Sequence, residues 1–158
     1  LLYQWLVFLH LIGIFGFLLA HGASALVSFR LRGERDVNAI RALLNLSSSA
    51  LIAASVSLLL LLIGGIGAGF VGGWWSFGWI WAALGVFVVV WGLMSAFSGR
   101  PLRRVRAAVG ITGRGPMKEP GTSEEIAAAL AAANPWPGLV IGSFGLLVIL
   151  WLMLFKPF

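Results

Sequence analysis

Apolar residues fall into four long runs along the chain, and the polar residues gather between them. Leu1 to Phe29 holds no charged residue and closes on Arg30, Arg32 and Arg35. A short polar link, RLRGERDVNAIR, leads into the second run, LLNLSSSALIAASVSLLLLLIGGIGAGF. A hydrocarbon core of about 30 Å takes roughly 20 apolar residues per helix, so the runs predict spans at about 3–29, 42–67, 79–97 and 138–155. The fold class expected is all-α, a polytopic membrane protein with a four-transmembrane-helix bundle, and residues 1–158 form a single membrane domain. A signal peptide is the other reading of the first run, but its positive charge follows the apolar stretch rather than preceding it.

Between the second and third runs, GGIGAGFVGGWWSFGW ends in Trp74, Trp75, Trp79 and Trp81 and reads as an interfacial turn with an aromatic belt. The loop from about 98 to 136 is the long polar stretch. Its PLRRVRAAVG portion is expected on the bilayer surface, with Arg103, Arg104 and Arg106 as a basic cluster facing lipid headgroups. Thr122 followed three residues later by Glu125 predicts a capped helix start, opening IAAALAAA as an amphipathic or re-entrant piece that Asn134-Pro135 stops. On the second span, Ser49, Ala53 and Ser57 form a small-residue ridge suited to a close neighbouring helix.

Composition supports this pattern: 60% of residues are hydrophobic, 10% are charged, and the mean hydropathy is +1.01. A soluble domain carries about 25% charged residues. The formal charge of +6 does not point to nucleic acid, because the basic residues adjoin the spans. By the positive-inside rule the loops carrying Arg30, Arg32, Arg35 and Arg41, and Arg100, Arg103, Arg104, Arg106, Arg114 and Lys118, are cytoplasmic. Both termini and the tryptophan loop then lie outside, in a bacterial inner membrane. The chain has no cysteine, so disulfides and thiolate metal sites are excluded.

The candidate chemistry lies on the first span. His10 and His21 are the chain's two histidines. At about 100° per residue their separation returns the helix to within about 20° of the same direction, and Tyr3, Gly13, Phe17, Ser24 and Ser28 fall near that line. Imidazoles and hydroxyls are costly against acyl chains, so the stripe is expected to face the bundle interior or a partner subunit. One account has the rings hydrogen-bonding to serines or carbonyls, with Asn45 and Ser48 nearby. Another makes them ligands. Depth pairs His10 with Met153 and His21 with Met94, and His/Met suits haem iron or copper. A third places His10 and His21 opposite their copies across a two-fold axis.

The segment FLHLIGIFGFLLAHG, the four-span layout, the RRVR loop and the ending WLMLFKP resemble small bacterial integral membrane proteins catalogued as a domain of unknown function. These are loosely related to copper-resistance protein D. The resemblance implies copper handling by a first-helix histidine, at the position of His10. The carboxylates Glu34, Asp36, Glu119, Glu124 and Glu125 all sit in loops, so an enzyme is not expected. The expectation is a non-catalytic membrane subunit or small cofactor-binding protein holding haem b, a chlorophyll-type pigment or copper. The alternatives are a structural accessory subunit of a respiratory or photosynthetic complex, and a small metal or solute permease. Membrane lipids, and either a homodimer partner or a larger complex, are the expected partners.

Overall fold

A computed structural model of the chain describes residues 1–112 and 115–158, so Arg114 lies outside the described residues. The helices are α1 (Leu2–Gly33), α2 (Val37–Val71), α3 (Gly78–Met94), α4 (Arg100–Ala108), α5 (Ser123–Ala132) and α6 (Trp136–Phe155). There is no strand among the described residues. Four helical stretches are long and apolar enough to cross a membrane. Leu51, Val88 and Phe144 on three of them are at least 60% exposed, which suits side chains that meet lipid rather than protein.

The helices associate as two antiparallel pairs, α1 with α2 and α3 with α6. Small residues bring the first pair together. Gly13, Ala20 and Val27 are buried on α1 at seven-residue spacing, the repeat that keeps one seam facing a neighbour in a left-handed crossing. A methyl group at Gly13 would overlap the Leu61 backbone, and one at Gly16 would lie 2.5 Å from the Ser57 hydroxyl. Of the expected ridge on α2, only Ser57 belongs to this contact, while Ser49 and Ala53 are exposed. Steps of four residues overshoot a full turn by about 40° each, so that ridge winds off the interface. The observed seam runs through Ser47, Ala50, Ser57, Leu61 and Gly64, with steps of three, four or their sum.

The glycine-rich segment after Ile63 is helical as far as Val71, and the turn is confined to the residues around Trp74–Ser76. Helix propensity measured in water penalises glycine, but within a bilayer a backbone without internal hydrogen bonds costs more. At this end Lys156 Nζ lies 3.4 Å from the centre of the Trp74 ring, and Tyr3 stacks on the same indole.

At the opposite, arginine-rich end the chain builds its own core. Val27 and Leu31 of α1, Ile40 and Leu44 of α2, Val105 and Val109 at the end of α4, and Ile126 and Leu130 of α5 are buried together. The stretch expected on the bilayer surface therefore packs inward. It continues α3 through one π-helical turn at Ser95–Gly99. Pro101 supplies the reason, since it has no N–H for the carbonyl four residues earlier and its ring crowds that carbonyl. The expected Thr122 cap is present: its hydroxyl accepts the Glu125 N–H at 3.2 Å and Glu125 accepts the Thr122 N–H at 2.9 Å. Asp36 caps α2, accepting from the Asn38 and Ala39 amides.

Candidate functional site

The two histidines of α1 face different neighbours. His10 turns to α2, where its Nδ1 hydrogen-bonds the Leu61 carbonyl at 2.8 Å. Gly64 and Gly65 make room for it: a methyl group at Gly64 would lie 2.5 Å from the His10 amide nitrogen, and one at Gly65 would lie 2.7 Å from Nδ1. The ring thus fills a notch between two helices in direct backbone contact. Met153, matched to His10 by depth, is half-buried on α6, whereas the His10 ring engages α2.

His21 turns to the second helix pair. A methyl group at Gly142 of α6 would lie 2.9 Å from His21 Nε2 and 3.5 Å from Met94 Sδ. Phe17, one turn earlier on α1, stacks on the imidazole at 5.9 Å with the rings 5° from parallel. Nε2 is out of contact with solvent and has no hydrogen-bond partner among the described residues. An unsatisfied buried imidazole nitrogen costs free energy that a bonded one does not. His10 has met that demand and His21 has not.

The His21 ring borders a cavity of about 70 Å³ shared with Ser24, Ser28, Met94, Phe97, Asn134 and Pro135, among others. Two interruptions of helical structure border the same space. One is the π turn carrying Phe97, and the other is the break at Ala133–Pro135 between α5 and α6. π turns recur at functional sites. Ser28 donates to the Ser24 carbonyl at 2.9 Å, and Asn134 Oδ1 accepts the Trp136 N–H at 3.2 Å. These side chains keep lone pairs available to whatever occupies the space.

The four residues singled out in the sequence thus separate. His21 and Met94 line one cavity, while His10 sits in the α1–α2 seam and Met153 on α6. Tyr3, near the same helical line, belongs to the tryptophan-rich end. Asn134 and the π turn were not evident as site elements in the sequence. Their signal there was Pro101 and the Asn134-Pro135 pair, of which the latter reads as a helix stop.

The basic cluster needs correction at one position. Arg103 and Arg104 are exposed, but Arg106 is half-buried and its guanidinium donates to the Leu44 carbonyl of α2 at 2.7 Å. Val105 is fully buried in the core, so the following residue is drawn over α2 rather than toward lipid headgroups. Arg41 acts likewise, donating to the Val109 carbonyl at 2.9 Å. Among the described residues no group of three His, Cys or carboxylate side chains is arranged to hold a metal.

No family model, curated protein or solved structure matches the chain. The likeness to copper-resistance protein D therefore has no counterpart in these comparisons.

Proposed function

We propose that the chain is a small, non-catalytic membrane protein whose working part is a ligand pocket at His21. The observation that carries this reading is His21 itself, whose ring borders a cavity flanked by two helix interruptions and whose buried Nε2 has no hydrogen-bond partner among the described residues. Ionisable side chains inside spans are functional candidates by default, and this one has an unmet bonding capacity. Of the ligands the sequence suggests, haem b and a chlorophyll-type pigment are too large. Cofactor clefts run to about 300–1,000 Å³, against about 70 Å³ here. A single metal ion or a small molecule suits the dimensions.

In this reading the arginine-rich end faces the cytoplasm of a bacterial cell and the tryptophan-rich end faces outward. Arg103 and Arg104 then meet the anionic inner leaflet. The test is analysis of protein extracted from membranes for bound metal and visible absorption, alongside His10→Ala and His21→Ala. Ligand retained in His10→Ala and lost in His21→Ala supports the pocket. Ligand lost only in His10→Ala overturns it.

A second reading, a structural accessory subunit of a larger membrane complex, draws support from His10. Its Nδ1 is satisfied by Leu61 and its surroundings are glycine backbone, the pattern of a packing residue. A stable complex recovered after gentle solubilisation, containing unlike chains and no ligand, would favour it.

A further inference from the structure

We propose that the open groove between α3 and α6 binds one anionic diacyl phospholipid, with an acyl chain in the groove and the phosphate at Arg100, Arg103 and Arg104. The site is separate from the His21 cavity and does not depend on it.

The groove measures about 550 Å³ and is walled by Val86, Val89 and Leu93 of α3 and Ile141, Phe144 and Val148 of α6. No polar side chain lines it among the described residues. At its floor the two helices meet, because Gly145 is buried and a methyl group there would overlap Val90. Val89 and Phe144 stand exposed on the two rims. Lipid tails are as apolar as these walls, so shape rather than hydrophobicity selects the occupant. A neighbouring helix, about 10–12 Å across, needs small residues to come close. Here the rims are branched or aromatic, and Gly145 already receives Val90. An acyl chain is thin enough to enter. If a methylene takes about the 30 Å³ of a water molecule, a chain of roughly 16–18 carbons fills about 500 Å³.

Depth and charge then select the class of lipid. Gly85 to Leu93, the α3 side of the groove, rises about 12 Å, close to the roughly 15 Å of hydrocarbon in one leaflet. Arg100 lies about 10 Å beyond Leu93, because α3 runs on through the π turn into α4. Gly85 and Arg100 are thus about 22 Å apart along the axis, and half a bilayer with its headgroups is about 20–22 Å thick. A phospholipid in the leaflet at the arginine-rich end has its chain terminus and its phosphate at those two levels. Arg100, Arg103 and Arg104 are exposed, and α4 carries no carboxylate to neutralise them. Guanidinium groups present paired N–H donors that match phosphate oxygens. A zwitterionic headgroup brings its own cation to the same place, so a headgroup of net negative charge is favoured.

The experiment is native mass spectrometry of the full chain in detergent micelles, offered equal amounts of phosphatidylglycerol and phosphatidylcholine. The expected result is one phosphatidylglycerol retained per chain. Arg100→Ala, Arg103→Ala and Arg104→Ala should each weaken its binding about fivefold. Val89→Trp keeps every arginine and fills the groove, so it should weaken binding at least tenfold. Val88→Trp places the same bulk on an exposed position outside the groove and should leave binding unchanged. Gly85→Leu is a second plug. A methyl group at Gly85 meets open space, so this variant should lose the lipid with an unchanged helical circular dichroism spectrum, and it decides the matter if Val89→Trp fails to fold. Equal retention of the two lipids would overturn the anionic class. Phosphatidylglycerol that depends on the arginines but survives Val89→Trp and Gly85→Leu would be held by its headgroup alone and would overturn the groove. A lipid-free dimer of the chain that Gly85→Leu dissociates would give the groove to a second copy and overturn the proposal, as would retention of neither lipid.

Discussion

Gly64 of α2 lies against the backbone of His10 on α1, so that a methyl group at Gly64 would fall 2.5 Å from the His10 amide nitrogen. The same methyl would sit 2.7 Å from the Leu6 carbonyl oxygen. Neither neighbour is a flexible side chain that can swing aside. Gly64→Ala is therefore expected to push the helices apart along the seam, at a cost of about 1–3 kcal/mol. Gly22 has open space at the same test, so Gly22→Ala should be neutral or stabilising. Unfolding of both variants by denaturant in mixed micelles checks the contrast, and equal losses would contradict it.

Arg106 and its neighbours in the basic cluster should behave differently. Arg106 donates to the Leu44 carbonyl from a half-buried position, and a hydrogen bond from a charged donor contributes about 1.5–3 kcal/mol. Arg106→Ala is expected to cost about that much stability. Arg103→Ala and Arg104→Ala should change stability by less than about 0.5 kcal/mol. Their effect should appear in binding to anionic vesicles, at about 1 kcal/mol per charge. Measuring unfolding and vesicle partitioning on the same three variants separates the roles.

These two contrasts show what the sequence made legible. The four spans were visible because apolar runs of bilayer length have few other uses, and the Thr122–Glu125 cap because its spacing is local. That His21 and Met94 lie at a common level was also legible, since it follows from rise per residue, and both line one cavity. Which helix each histidine faces was not, because the order of helices around the bundle is a property of packing. The inward turn of α4 was hidden for a related reason. PLRRVRAAVG shows arginines at a glance, while the buried Val105 and Val109 are isolated apolar residues whose burial only the tertiary core reveals. The continuity of α3 into α4 was masked by Pro101, an ordinary helix stop that the π turn accommodates instead.

Glu34 provides a pH-dependent readout. The Arg35 N–H at 2.9 Å, and then the Asp36 N–H at 3.1 Å, hold its carboxyl below the ordinary glutamate range, with Arg30 adding to the effect. A depressed folded value means that the carboxylate's contribution is present above the ordinary glutamate value and is lost as pH falls through the lowered one. The Glu34 carboxyl carbon resonance should thus titrate at lower pH than that of free glutamate. Glu34→Gln should remove this step from the acid side of the stability profile. A midpoint at or above the free value would contradict the two amide bonds.

Lys156 is the one non-glycine residue with positive φ among the described residues, at 45°, and its ammonium lies over Trp74. A strained backbone at an exposed residue needs a compensating contact, and the cation–π interaction supplies about 0.5–1 kcal/mol at such a site. Lys156→Met keeps the side-chain length and removes the charge. It is expected to lower stability by about that amount and to change the tryptophan emission. Lys156→Arg should retain most of the interaction. An unchanged emission spectrum in Lys156→Met would show that the ammonium does not rest on the indole.

Val105 tests whether α4 belongs to the core or to the bilayer surface. It is fully buried, packed with Ile40 and Leu44 of α2 and with Ile126 of α5. A valine on a helix lying at a lipid interface would lose only contact with headgroups on truncation, and its loss would be small. In the core, Val105→Ala removes two methyl groups' worth of burial and leaves a cavity, for a cost of about 2–3 kcal/mol. Ala107, two residues along and exposed, gives the control, because Ala107→Ser should stay within about 0.5 kcal/mol. A small effect at Val105 equal to that at Ala107 would return α4 to the membrane surface, and the support it gives the His21 cavity through Leu102 would go with it.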